Sequence, residues 1–266
     1  MSDLIMIGLP SRDHRINAAV LELLAKHGLP PDVGLHVSVE GSSLLAWTFN
    51  CLLAEAFNLG ATHFFLLHDD IRLEPGALGT LYGEMKRLNA DAISLVMPLK
   101  SVHGLTSTAI GSRDPFEPWR RLTMKEVCRL PETFCIEDCR EAGLTPPYDC
   151  PLLVNTGALL LNLTSEWAKR EADGYRDLHF TINDCIRKEN GKWVARCEPE
   201  DWGLSAWLHR RGAKVYATRM VKASHWGEAG FDNQEPWGLL EHDEAGAWVR
   251  DLDVIQEGDG HGKPTD

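Results

Sequence analysis

Apolar residues in this chain fall into short runs that alternate with stretches of helical spacing. Leu4-Ile5-Met6-Ile7-Gly8-Leu9, closed by Pro10, reads as a buried strand. Ile16, Val20, Leu23 and Leu24 then recur at helical spacing, and Gly28 with Pro30-Pro31 stops that helix. Residues 33–39 are a second strand candidate. Gly41-Ser42-Ser43 is a turn suited to cap a helix running through Phe57, which Gly60 terminates. A third strand ends at Leu67 and delivers His68-Asp69-Asp70 at its C-terminal end. Glu74-Pro75-Gly76 starts a helix that runs to about Leu88, and residues 92–97 are a fourth strand candidate.

The pattern is less regular over residues 99–151, where turn residues, short apolar groups and cysteines mix. It predicts a hairpin near residues 106–111 and a helix near residues 125–143. Leu152-Leu153-Val154-Asn155-Thr156-Gly157-Ala158-Leu159-Leu160-Leu161 predicts a strand. Residues 200–211 read as a helix stopped by Gly212, and residues 215–217 as a short strand leading toward His225. The alternation of strands and helices predicts an α/β fold, a mostly parallel mixed central sheet flanked by helices. With no internal repeat and no linker, the expectation is one domain over residues 1–250. Residues 101–150 would be an insertion on its acceptor side, and residues 251–266 a flexible tail.

Composition narrows the class. A chain of 266 residues, 44% hydrophobic and 25% charged, is ordinary for a globular protein with a full core. It has no apolar run long enough to span a bilayer. Met1-Ser2-Asp3 lacks the basic start of a secretory signal, so a cytoplasmic location is expected. Seven cysteines suit a reducing compartment. Cys128, Cys135, Cys139 and Cys150 cluster in sequence but contain no Cys-x-x-Cys pair, so free thiols are expected rather than a zinc site. The net charge of -12 argues against broad charge-driven binding to nucleic acid or an anionic membrane. Lys100, Arg113, Arg120, Arg121 and Lys125 are the residues from which a local basic groove would be built, a solvated loop face being the plainer account. Most of the nine tryptophans are expected in the core.

Ligands of open α/β sheets bind outside the carboxyl ends of the strands, where His68-Asp69-Asp70 is expected. Adjacent carboxylates repel unless a cation compensates, and oxygen ligands suit magnesium or manganese. The plain alternative is an acidic surface turn. An apolar strand before the turn and a Pro-Gly helix start after it favour the site. Glu200 and Asp201 open a helix, where acids complement the dipole. Asp201, Leu204, Ser205 and Leu208 also share one helical face, which sets Asp201 at the open end of a buried stripe, ready to accept a proton. His225 follows a strand that returns to the same sheet edge, where a neutral imidazole can complete a metal's shell. Gly157, in Asn155-Thr156-Gly157, permits close approach of a ligand to the backbone; a simple strand start is the alternative.

The order of these features resembles glycosyltransferases of the GT-A fold, closest to the family-2-like inverting enzymes of bacteria and their phages. The resemblance rests on Gly41-Ser42-Ser43-Leu44-Leu45 through Asn50, Leu66-Leu67-His68-Asp69-Asp70-Ile71, Pro98-Leu99-Lys100, Asn155-Thr156-Gly157-Ala158-Leu159-Leu160, Glu200-Asp201, and Lys214-Val215-Tyr216 ending at His225. It implies a single GT-A, Rossmann-like domain and a nucleotide-sugar donor, a UDP-sugar first among them, with Mn2+ or Mg2+. His68-Asp69-Asp70 stands where the family has Asp-x-Asp. Asp70, with His225 and His68, would ligate the metal, and Asp69 would sit near the ribose or metal. Asn50, Lys100 and Gly157 would lie near the donor, although the family's arginine before Asn50 is Phe49 here. Asp201, of the Glu200-Asp201 pair, would be the general base.

The implied reaction moves a sugar from the diphosphate to an acceptor hydroxyl with inversion. The acceptor would be a glycan, a lipid-linked molecule, a protein or, last in view of the charge, modified-base DNA. Three other readings remain at this stage. One is a retaining GT-A enzyme, which His225-Trp226-Gly227 followed by Glu235-Pro236-Trp237 loosely resembles. The others are a nucleotidyltransferase or metal-dependent phosphohydrolase, and a non-catalytic sugar- or protein-binding module.

Overall fold

Phe64, Phe65, Leu66 and Leu67 are consecutive and all fully buried, which requires that their strand be covered on both faces. The computed structural model describes residues 2–11, 15–227, 229–242 and 248–250; the expected tail over 251–266 lies outside the described residues. The N-terminal half alternates as predicted: β1 (Leu4–Pro10), α1 (Ala18–Ala25), β2 (Gly34–Glu40), α2 (Leu45–Asn58), β3 (His63–Leu67), β4 (Ile71–Leu73), α3 (Ala77–Leu88) and β5 (Ala92–Leu95). The middle holds β6 (Leu105–Ile110), β7 (Arg120–Thr123), α4 (Met124–Val127), β8 (Thr133–Phe134), α5 (Ile136–Glu141), β9 (Leu152–Leu153), β10 (Ala158–Asn162) and α6 (Glu166–Lys169). Two ribbons follow, β11 (Glu171–Ala172) with β12 (Tyr175–Arg176) and β13 (Asn183–Glu189) with β14 (Lys192–Glu198). Last come α7 (Glu200–Arg210), β15 (Val215–Thr218), β16 (Ala223–Trp226), β17 (Gly230–Asp232), β18 (Leu240–His242) and β19 (Trp248–Arg250).

The central sheet has the order β2-β1-β3-β10-β5-β15-β8. β1 pairs parallel with β2 and β3, and β5 with β15. β10 is antiparallel to both β3 and β5, and β8 to β15. β2, β1, β3, β5 and β15 therefore share one direction, and the mixed, mostly parallel Rossmann-like sheet is the one expected. Its two faces are filled by the period-2 alternation of the strands. Ile5, Ile7, Phe65, Leu67, Ile93 and Leu160 pack with Val20, Leu23, Leu78 and Leu81 of α1 and α3. Met6, Phe64, Leu66, Leu159 and Leu161 pack with Phe49, Leu52 and Leu53 of α2 and with Leu204 and Leu208 of α7. A Cβ on Gly8 would lie 2.8 Å from the Phe64 ring and 3.2 Å from Leu52, so glycine lets helix and ring close over β1.

Four local predictions need correction. The run over 152–161 is two strands, β9 and β10, parted at Asn155-Thr156-Gly157, where the Asn155 side chain accepts from Gly157 N–H at 3.0 Å. This Asx turn offers the backbone an alternative to the sheet ladder. The helix near 125–143 is α4 and α5, with β8 between them on the sheet edge. Pro131 disfavours helical backbone at Leu130 and has no N–H to continue the ladder. Residues 106–111 do not form a hairpin of their own: β6 pairs with β7 and β9. The tryptophans are less buried than expected. Trp167 and Trp202 are buried, but Trp47, Trp119, Trp193 and Trp226 are exposed.

The β13–β14 hairpin went unpredicted, although Asn190-Gly191 signals it. Both residues have positive φ, 48° and 82°, which the tight turn between twisted strands requires. All seven cysteines are free. Among the described residues, no helix is long and apolar enough to cross a membrane.

Candidate active site

The His68-Asp69-Asp70 turn is fixed from both sides. His68 N–H donates to the Gly157 carbonyl at 2.8 Å, and Trp226 N–H donates to the Asp70 carbonyl at 2.8 Å. β4 then pairs antiparallel with β16, setting Ile71 opposite His225. Three segments meet at the Asp70 carboxylate. Lys100 Nζ donates to its Oδ2 at 2.5 Å, and His225 Nε2 stands 3.3 Å from the same oxygen. His225 Nδ1 donates to the Pro98 carbonyl at 2.8 Å, which fixes the tautomer. With Nδ1 committed to Pro98, Nε2 donates to Asp70 only when the ring carries its second proton. Burial by itself would raise the Asp70 pKa, but hydrogen bonds from His225 and Lys100 outweigh it and hold the carboxyl well below the usual range.

Two buried atoms in this corner lack a hydrogen-bond partner, Asp70 Oδ1 and His68 Nε2. The oxygen 3.3 Å from His225 Nε2 is Oδ2, which Lys100 already holds; the orphaned Oδ1 is the atom that a divalent cation such as Mn2+ would satisfy. The predicted trio does not converge, however: no group of three His, Cys, Asp or Glu side chains among the described residues is arranged to hold a metal ion. His68 lies against Phe49, ring centroids 5.4 Å apart, and burial lowers its pKa to about 4. Its Nε2 is nonetheless left without a partner, while Asp70 and His225 are the pair in direct contact.

The second corner is the start of α7. Glu200 is buried and accepts from Thr156 Oγ1 at 3.2 Å. Ser205, one turn on, accepts from Val154 N–H at 3.0 Å and donates to the Asp201 carbonyl at 2.7 Å. The turn at 155–157 is thus the hub between the two acidic corners. Asn155 Nδ2 holds the Leu95 carbonyl at 2.6 Å, Thr156 holds Glu200, and Gly157 holds His68. Asp201 Oδ1 accepts from Trp202 N–H at 2.8 Å. Burial, reinforced by the neighbouring Glu200, raises the Asp201 pKa to about 7, against the pull of Arg121. Burial raises Glu200 as well, with the Thr156 hydroxyl opposing.

The other predicted residues are distributed as follows. His68, Asp69 and Asp70 line an open groove of about 210 Å³ with Pro10, Ser11, Ser42, Leu45 and Thr48. Glu200 and Asp201 connect to it through the hub rather than by direct contact. Asn50 is tied up elsewhere: its amide donates to the Phe180 carbonyl at 2.8 Å and accepts from Phe180 N–H at 2.7 Å. That bidentate strut satisfies the atoms a nucleotide would use. The close approach that Gly157 allows is to protein: a Cβ there would lie 2.6 Å from Ile71 Cδ1. The basic groove does not form. Lys100 pairs with Asp70, Arg120 with Glu126, Lys125 with Glu241, while Arg113 covers Tyr148.

Pro98 and Thr156 are site neighbours to which sequence reasoning gave no role, and Arg121 was expected only in a basic groove. Arg121 lies over the Trp202 ring at 5.0 Å and donates to the Thr106 carbonyl at 3.1 Å. Burial lowers its pKa, and Asp201 opposes that. A carbonyl acceptor such as that of Pro98 has no sequence signature.

The chain matches no family model and no curated protein sequence. It matches 38 solved chains. One is the crystal structure of A197 from STIV, 10% identical, with a TM-score of 0.48 over 92% of this chain and 93% of that one.

Proposed function

We propose that this protein is a glycosyltransferase with a GT-A-like site, moving a sugar from a nucleoside-diphosphate donor, a UDP-sugar first, to an acceptor hydroxyl with inversion. The observation that carries the reading is the pair of aspartates around one hub. Asp70 is held ionised between Lys100 and His225, whereas Asp201 is pushed to a pKa of about 7. Carboxyls driven apart in this way separate a charge-holding role from a proton-transfer role.

In this reading Asp70 and His225 would hold Mn2+ or Mg2+. Bound there, the ion supplies Lewis-acid stabilisation of the leaving diphosphate. Lys100 brings a second positive charge to the same corner. Asp69 faces the groove that receives the nucleotide. Asp201 takes the proton of the attacking hydroxyl, Arg121 keeps enough of it ionised near neutral pH, and Glu200 anchors the helix to Thr156. The acceptor is a glycan, a lipid-linked molecule or a protein before modified-base DNA.

The test is calorimetric titration of the protein with UDP and UDP-sugars, with and without Mn2+, followed by assay of released nucleoside diphosphate. Metal-dependent donor binding and slow diphosphate release support the reading. Absence of both across the common nucleotide sugars removes it. NMR of the product anomer then decides inversion.

A further inference from the structure

The β13–β14 hairpin turns charged residues inward beside Cys185 and Val194 and leaves large apolar ones outside. Successive residues of a strand point to opposite faces, and antiparallel ribbons ordinarily turn their apolar side to the body. Here Arg187, Glu189 and Arg196 face the protein. Arg187 pairs with Glu189 at 2.5 Å and with Asp114 at 2.6 Å, and Arg196 with Glu117 at 2.8 Å. The outer face carries Asp184, Ile186 and Lys188 opposite Cys197, Ala195 and Trp193. Ile186 is 73% exposed and Trp193 72%. The ribbon pairs with no further strand among the described residues, and a lone two-stranded ribbon is marginal in water.

We infer that this outer face is a homodimer interface whose occupant is the same face of a second copy. The charge pattern selects that occupant. An acid, Asp184, stands at one end and a base, Lys188, at the other, with Ile186 midway. A two-fold axis lying across the strands reverses their direction and keeps β13 over β13. Ile186 then meets its own counterpart, and each Asp184 meets the Lys188 of the other copy. Ala195 meets Ala195, and Cys197 meets Trp193. The face is self-complementary, as an isologous contact requires. The contact covers the apolar side chains that the body leaves in water. The inference is independent of the glycosyltransferase reading.

The test is sedimentation equilibrium of the full chain over a range of micromolar concentrations. A dimer of the 29.7 kDa chain is expected. Ile186→Asp should weaken self-association by about 30-fold or more, with the circular dichroism spectrum unchanged. Asp184→Lys alone and Lys188→Asp alone should each weaken it, and the two together should restore it. Oxidation of Ile186→Cys should yield a covalent dimer. A wild-type chain that stays monomeric overturns the inference. So does a dimer insensitive to Ile186→Asp, or a double charge swap that fails to rescue.

Discussion

Asp70 and Asp201 each sit within two residues of a group tied to one turn, His68 to Gly157 and Glu200 to Thr156, yet their surroundings drive them in opposite directions. Asp70 loses water but gains an ammonium and an imidazole, and its carboxylate is stabilised. Asp201 loses water beside another acid, with one guanidinium to offset it, and its pKa rises to about 7. Burial is the first cause in both. The neighbours decide the sign. The difference teaches that a carboxylate's role in this site follows from what the tertiary fold sets beside it rather than from its own chemistry.

The sharpest break of the comparison is Asp201→Asn. It should lower transfer by about 10²–10⁴-fold with donor affinity unchanged in calorimetry. Near wild-type turnover would remove Asp201 as the base. The same variant should reveal the cost of burying the acid. A folded pKa of about 7, above the ordinary 3.8, means the folded state holds its proton more tightly than the unfolded one. Wild-type stability therefore falls as pH rises from about 4 to about 7. Asn escapes this, so the variant should exceed the wild type by roughly 2–4 kcal/mol at pH 8. That gap should close toward pH 4 in denaturant titrations; a gap that ignores pH would mean the acid is not perturbed.

Asp70→Ala tests the other half. It should reduce Mn2+-dependent donor binding by at least the roughly 10–100-fold that partners outside a metal's own shell contribute. Unchanged affinity with metal present would contradict the assignment. Gly157→Ala strikes the hub that joins the corners. Its Cβ would lie 2.6 Å from Ile71 Cδ1 and 3.1 Å from Asn155 Oδ1, and Ile71 is itself buried. The expected loss is about 1–3 kcal/mol by thermal unfolding. The smallest effect should come from Arg121→Met, which removes the cation opposing the rise of Asp201. The midpoint of the pH–rate profile should move upward, and a stationary midpoint would leave Arg121 a packing residue.

The architecture was legible because it rests on local patterns. Consecutive apolar runs such as Phe64-Phe65-Leu66-Leu67 announce strands buried on both faces, and Gly212 stops α7 where a helix stop is expected. The breaks were harder. Asn155 interrupts one apolar run with a side-chain hydrogen bond, and Pro131 divides what looked like one helix. Both signals were in view, but apolar periodicity outweighed them.

The acidic residues at strand and helix ends, and the alternation that builds the sheet, were determined by sequence because neighbours along the chain set them. Which carboxylate gains cations, which one loses water, and that Asn50 binds Phe180 rather than facing the groove were decided only by tertiary structure. The physical reason is that charge and desolvation act through space over a few ångströms. The partners concerned, Asp70 with Lys100 and His225, Asp201 with Arg121, and Asn50 with Phe180, lie 30 to 155 positions apart in the chain.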